Sequence, residues 1–403
     1  MKNRFMVLLL TVALFAITAV ASAQTTTAIL ATISHNDSVI GALWNKDESQ
    51  VLTWSLDGTA RVSDDTGTRV FTIQYADTVN GAIWNADQTQ ILSWSEDGTA
   101  RLSSATDGAT VQTFTHDDAV LGVSYSADGT FVLTWSADAT ARIWGTTTGE
   151  EVARIQHTDI VRGATWNADA TRIVTWSSDG TIFVNSFDGT AVASVATLPN
   201  DAPVAGAALN STQTRLISWT SAGNNIVVWN PTDGTQIAVL NHAAPVVGAT
   251  WNAAGTRIMS WSEDGSVRIW QSGQSPIVMG NEAAVIGAAF SKDETSVLTW
   301  ANDNTVKLWD AVTGKLIRTF DHGIVQPTGA ALNHAGDRLI TWSDDGTLRL
   351  WDIGNGALLF TFDPATQQGG ALGAIWSAND QEILAWSQDS TARIWDAKAA
   401  PSF

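Results

Sequence analysis

Five of the six histidines stand at or beside one position of a recurring frame. His35, His116, His157 and His242 each lie six residues before a glycine, and His322 lies seven before one. Histidine is the usual side chain for proton transfer or metal binding near neutral pH. Downstream of His116 come Thr134 and Asp138, and downstream of His242 come Ser260 and Asp264. A histidine, a hydroxyl and a carboxylate are the parts of a nucleophilic hydrolase. One catalytic site needs one such set, whereas this chain carries several in equivalent places, which points to a structural duty and to no catalytic residue. The sequence contains no Cys, so thiolate metal sites and disulfides are excluded. It also lacks a calcium loop, an HExxH pair, a phosphate-binding glycine loop and a nucleophile elbow. The expectation is therefore no metal and no cofactor.

Tryptophan shows what positions those residues. Trp54, Trp94, Trp135, Trp176, Trp219, Trp261, Trp300, Trp342 and Trp386 recur at intervals of 39 to 44 residues. A fixed period of this size marks a repeat architecture. In the first copy Val39–Trp44 reads as a strand and Asn45–Ser49 as a polar turn. Gln50–Ser55 is a second strand, Asp57-Gly58 a tight turn, Thr59–Ser63 a third strand and Thr68–Gln74 a fourth. Four short antiparallel strands per repeat, with no helical periodicity, describe a propeller blade. Nine sets of three inner strands can be counted, and the last ends at Trp395-Asp396 with no outer strand after it. An unclaimed strand-like segment, Thr27–Ile33, precedes the first set. Pairing of that segment with the final set would close a ring of nine and hide an open sheet edge. A seven-bladed ring with two spare repeats would leave such edges exposed. The expected fold is all-β, a single nine-bladed propeller spanning residues 24–403.

The repeats resemble the tryptophan–aspartate (WD) repeat β-propellers. The motifs that carry the resemblance are Ala141-Arg142-Ile143-Trp144, Val267-Arg268-Ile269-Trp270, Val306-Lys307-Leu308-Trp309-Asp310, Leu348-Arg349-Leu350-Trp351-Asp352 and Ala392-Arg393-Ile394-Trp395-Asp396. In that family the repeated His implies a hydrogen-bond network with a strand hydroxyl, the turn Asp and the third-strand Trp. The full sets here are His116, Thr134, Asp138 and Trp144, and His242, Ser260, Asp264 and Trp270. Some copies lack a member: Ser63 and Ser103 replace the third-strand Trp, Tyr75 replaces the His, and Ser221–Asn225 replace the Asp-Gly turn. Nine copies depart from the seven blades most common in the family. A second departure is the second-strand Trp itself, where the family usually carries a small residue. A Gly recurs on the first strand, followed by Ala in eight copies, so each indole is expected to fill space that a glycine vacates. All 20 Trp residues fall on three frame positions, nine on the second strand, six on the third and five on the first. None is left on a loop for a sugar.

Function should lie where copies differ while their frame does not. The residue before the turn Asp is Leu56, Glu96, Ala137, Ser178, Glu263, Asn302, Asp344 or Gln388, and the residue before the repeated Gly also varies, with Asn80 and Arg162 among its forms. The resemblance implies that the former positions look out from the upper rim, where partners dock. The formal charge is −19, which opposes nucleic acid and anionic membrane surfaces and suits a cationic protein partner. Lys2, Arg4, the apolar run Phe5–Val20 and Ala21-Ser22-Ala23 have the form of a secretory leader cut after Ala23. Export without cysteine fits a periplasmic or extracellular bacterial protein. The leading expectation is an exported, non-enzymatic, monomeric disc that binds proteins. The alternative is an envelope or matrix component that binds glycans or self-assembles. A quinone-dependent enzyme ranks third, because the first strands offer the channel mostly Gly, Ala and aliphatics.

Overall fold

Runs such as Val51-Leu52-Thr53 are apolar or uncharged on both faces, which suits a sheet covered on both sides. In the computed structural model, which describes residues 29–362 and 369–398, both faces are covered by neighbouring blades. The strands are numbered β1 to β36 in chain order. The first blade is β2 (Val39–Trp44), β3 (Gln50–Ser55), β4 (Thr59–Asp64) and β5 (Arg69–Gln74), hydrogen-bonded in that order. On β3, Val51 packs with Val39, Ala42 and Leu384 of the last blade. Leu52, one residue on, packs with Val79, Ala82 and Ile91 of the second. Each blade thus gives its two faces to two different interfaces, and nine apolar clusters fill the nine gaps.

The ring closes as the strand count requires. β1 (Ile29–Ser34) pairs antiparallel with β36 (Thr391–Asp396), completing a sheet with β35 (Glu382–Ser387) and β34 (Ala371–Trp376). Ile33 sits opposite Ala392 and Ser34 opposite Thr391, and the His35 N–H donates to the Ser390 carbonyl. The expected leader, residues 1–23, and Thr27 and Ala28 of the closing segment lie outside the described residues. First strands of neighbouring blades touch one another nearly all the way round, with β34 returning to β2, so these strands surround the central axis.

The glycine–indole pairing holds in all nine copies. Gly41 is the cross-strand partner of Trp54, and a Cβ placed on Gly41 would sit 2.0 Å from Trp54 Cζ2. The same overlap recurs from Gly81 with Trp94 to Gly373 with Trp386. The glycine belongs to the adjacent strand of the same blade. Each indole also packs against the cluster shared with the next blade: Trp54 against the one that holds Val79, Ala82 and Ile91, and Trp386 against the one that holds Val39, Ala42 and Val51. These nine indoles are only half-buried. They pack between blades without being sealed from solvent.

A second device links neighbouring blades on the face away from the histidines. The turn between the first and second strands places one residue at positive φ in every blade, and often this is not glycine: Glu48, Gln88, Ala170, Gln213, Glu294 and Asp380. Several reach back onto the preceding blade. Gln88 accepts from the Lys46 N–H at 3.1 Å, Glu294 accepts from Asn252 and Arg257 at 2.9 and 3.0 Å, and Asp380 accepts from the His334 N–H at 2.9 Å. Across the closure, Glu48 accepts from the Ala378 N–H.

Candidate functional site

The strand–turn–strand frame fixes the histidine cluster. In blade three the Trp144 indole N–H donates to Thr134 Oγ1 at 2.8 Å, and that oxygen lies 2.7 Å from His116 Nε2. His116 Nδ1 lies 2.9 Å from Asp138. The Asp138 carboxylate can only accept, so Nδ1 carries the proton and donates to it, and Nε2 of the neutral ring accepts the Thr134 hydroxyl proton. Blade six repeats the chain: Trp270 to Ser260 at 2.8 Å, Ser260 to His242 at 2.8 Å, and His242 to Asp264 at 3.1 Å. Both predicted quartets are therefore brought together as units.

The hydroxyl that a hydrolase would use as nucleophile is fully buried in these units, at Thr134 and Ser260 alike. Burial depresses His116, His157 and His242, and burial together with the Arg61 charge lowers His35 to about 4. Burial alone would raise Asp57. The Asn36 N–H, Thr59 and His35 nevertheless hold its carboxyl down to about 2. These are neutral histidines locked against carboxylates.

Two kinds of partner escaped the sequence reading. Asn200 and Asn281 take the histidine place in blades five and seven, accepting from Ser218 at 3.1 Å and Thr299 at 3.0 Å. Their position in the frame was the available signal. A cation four residues after the turn Asp closes over it, as Arg61 does on Asp57 at 2.9 Å, Arg142 on Asp138 at 2.8 Å and Lys307 on Asp303 at 2.7 Å. That spacing was visible as Asp-Gly-Thr-Ala-Arg. His322, by contrast, misses the strand hydroxyl: its Nδ1 lies 3.1 Å from Ser343, while Trp351 donates to Thr341 at 2.9 Å.

The variable positions stand on the same end of the disc. The Leu56 N–H donates to the Ser38 carbonyl and the Glu96 N–H to the Thr78 carbonyl, which holds the residue before the turn Asp beside the start of the first strand. Leu56, Glu96, Glu263, Asn302, Asp344, Gln388 and Arg162 are exposed, and Ala137, Ser178 and Asn80 are half-buried. Several touch one another. Asn80 donates to Glu96 at 2.9 Å and, across to the next blade, to the Val120 carbonyl at 3.0 Å. Arg162 donates to Ser178 at 2.7 Å, and Asn302 accepts from Gln326 at 2.9 Å. The sequence reading named only Asn80 and Arg162 from the inner circle. Their equivalents include Ile40, Leu121, Val247, Ile286 and Leu372, none of them buried, each at a bulge that begins its first strand. The mouth of the channel is thus largely apolar, with polar and acidic side chains outside it.

Among known proteins, four segments match the family model described as WD domain, G-beta repeat: residues 108–145, 234–271, 274–310 and 314–352. Residues 108–145 and 234–271 run from the outer strand of one blade to the third strand of the next, the same one-strand offset that closes the ring. No curated protein matches the sequence. Among solved structures, the computationally designed Ika8 protein is 20% identical, with a TM-score of 0.62 over 91% of this chain and 99% of its own. The C-terminal WD40 domain of Sif2 is 17% identical, with a TM-score of 0.63 over 93% and 99%. Sqt1 of Saccharomyces cerevisiae is 12% identical, with a TM-score of 0.60 over 77% and 93%. At such identities the likeness is one of fold.

Proposed function

We propose that this chain, which carries WD40 repeats on a closed ring of nine blades, is a non-enzymatic scaffold that binds other proteins on its histidine-bearing rim. One observation carries the reading. A repeated backbone presents a different side chain from each blade around an apolar mouth, with Val247 42% exposed and Leu372 38% exposed. Scattered apolar residues on a surface are ordinary, but a circle of them bordered by polar groups has the arrangement of an interface core and its rim. Arg162 is the one cation at the inner circle's nine positions, and Glu96, Glu263 and Asp344 give the outer circle an acidic character suited to a basic partner. The locked histidines support a role in rigidity, since each lies behind this surface with its ring nitrogens engaged.

The test is capture of partners by the purified protein with Val247→Asp and Leu372→Asp on the rim, against Lys46→Glu on the opposite face. Loss of the same partners with the rim variants alone supports the scaffold. Equal capture by all three would overturn it. We also propose export. A mature N-terminus at Gln24, found by mass spectrometry of the extracytoplasmic fraction, supports it, and an intact Met1 in the cytoplasm would refute it.

A further inference from the structure

In blades one, two, three, five, seven and eight, the turn after the third strand lies on the outer strand of the preceding blade. Gly108 meets Phe71 there, Gly149 meets Gln112, and Gly314 meets Ile277 and the Val278 backbone. Two blades break the pattern. A Cβ on Gly189 of blade four or on Gly273 of blade six would meet nothing within 4 Å. Blade four fills the opening with Phe187, whose ring lies 5.0 Å from Phe131 and 5.6 Å from Trp166. The equivalent residue in blade six is Ser272, which is exposed and too small to do the same.

What remains between blades five and six is a cavity of about 710 Å³, a volume in the range of small-molecule sites. Trp251 and Trp270 line it, and both are half-buried. The other third-strand tryptophans, such as Trp144 at 6% and Trp351 at 5% exposure, are closed off. Ile237 of the outer strand, 46% exposed, forms another wall. The polar lining includes Gln271, Gln274 and Arg215, while the Asn210 amide is spent on Thr212, the Gly255 carbonyl and the Arg215 N–H; no Asp or Glu takes part among the described residues. In a chain of net charge −19, a cavity holding one guanidinium and no carboxylate favours an anionic guest. Indole surface suits the flat C–H faces of a pyranose ring, side-chain amides pair with its hydroxyls, and arginine pairs with a carboxylate through two parallel hydrogen bonds.

We propose that the cavity between blades five and six is a saccharide-binding site whose ligand carries a carboxylate, as a uronic acid does. The site is separate from the rim and stands or falls independently of the scaffold reading.

Titration calorimetry of the full chain with hexagalacturonate, the neutral cellohexaose and hexaglutamate tests it. Hexagalacturonate should bind at one site and more tightly than cellohexaose. Arg215→Ala should weaken the uronate at least tenfold and leave the neutral sugar unchanged. Ser272→Phe, which copies the filling of blade four, should abolish both while leaving the melting temperature unchanged or raised. Should that variant fail to fold, Ile237→Trp fills the cavity from the exposed wall and should have the same effect on binding. Absence of saturable binding, binding that survives the filled cavity, or hexaglutamate binding as tightly as the uronate would each overturn the proposal. The last outcome would assign the site to acidic peptides.

Discussion

His35 illustrates how burial turns a reactive side chain into a structural one. Its pKa of about 4, set by burial and by Arg61, lies below the value near 6.5 that the unfolded chain offers. His322 is lowered to about 4 by burial and Arg349. As pH falls from 6.5, the unfolded state takes up protons that the folded state refuses, so stability declines until about pH 4, where the folded rings protonate as well. Each such ring costs about 3 kcal/mol when the shift is fully expressed. Asp57, held near 2, begins to withdraw its own contribution only below about 3.8. The melting temperature should therefore drop by several degrees between pH 7 and pH 4.5 at constant ionic strength. His35→Asn, which copies blades five and seven, should flatten part of that slope, whereas a flat profile in the wild type would mean that the rings protonate while folded. The glycine–indole contacts make a second prediction at this scale. Gly41→Ala places a methyl group 2.0 Å from Trp54 Cζ2, an overpacking expected to cost about 1–3 kcal/mol in chemical denaturation. The double variant with Trp54→Leu should recover most of the loss. No recovery would place the strain elsewhere.

At the level of strands and turns, what was legible depended on what repeated. Trp54 and Gly41 recur nine times as residue types, so their pairing could be inferred before any coordinates. The links between first turns could not, because what recurs there is a backbone sign, while the residue changes from Glu48 to Gln88, Gly129 and Ala170. The open cavity was hidden for a related reason: Ser272 differs from Phe187 in size, but only the path of the turn shows that nothing else fills the gap. The linking turns carry their own prediction. A non-glycine residue at positive φ is strained by about 1 kcal/mol, and Ala170, at φ 56°, has only a methyl group to offset it. Ala170→Gly should be neutral or stabilising by up to about 1 kcal/mol. Glu294→Gly relieves the same strain but removes the bonds to Asn252 and Arg257, so it should destabilise in the same urea titration. Equal effects at the two sites would show that the inter-blade bonds contribute nothing.

For the whole molecule, the decisive inference from sequence was the missing outer strand of the last blade, a matter of counting that needed no contact information. The surface could be read only in part, because exposed positions are free to vary and Asn80 and Arg162 stood out by polarity where Val247 and Leu372 did not. Closure is also where the ring is most vulnerable. β1 is joined to the rest of its own blade through β36 alone, with Ala31 and Ile33 buried beside Ala392 and Ile394. A chain beginning at His35 loses those contacts and exposes the full edge of β36, whose unpaired backbone groups can template association. In a repeat ring each unit is supported by its neighbours, so loosening one blade weakens both interfaces that flank it. The truncated chain should melt well below a chain beginning at Gln24 and sediment as concentration-dependent oligomers. A peptide of sequence Thr27–Ser34 added in excess should restore part of the melting temperature and suppress association by occupying the vacant edge. If the truncated chain stays monomeric and equally stable without the peptide, β1 does not lock the ring.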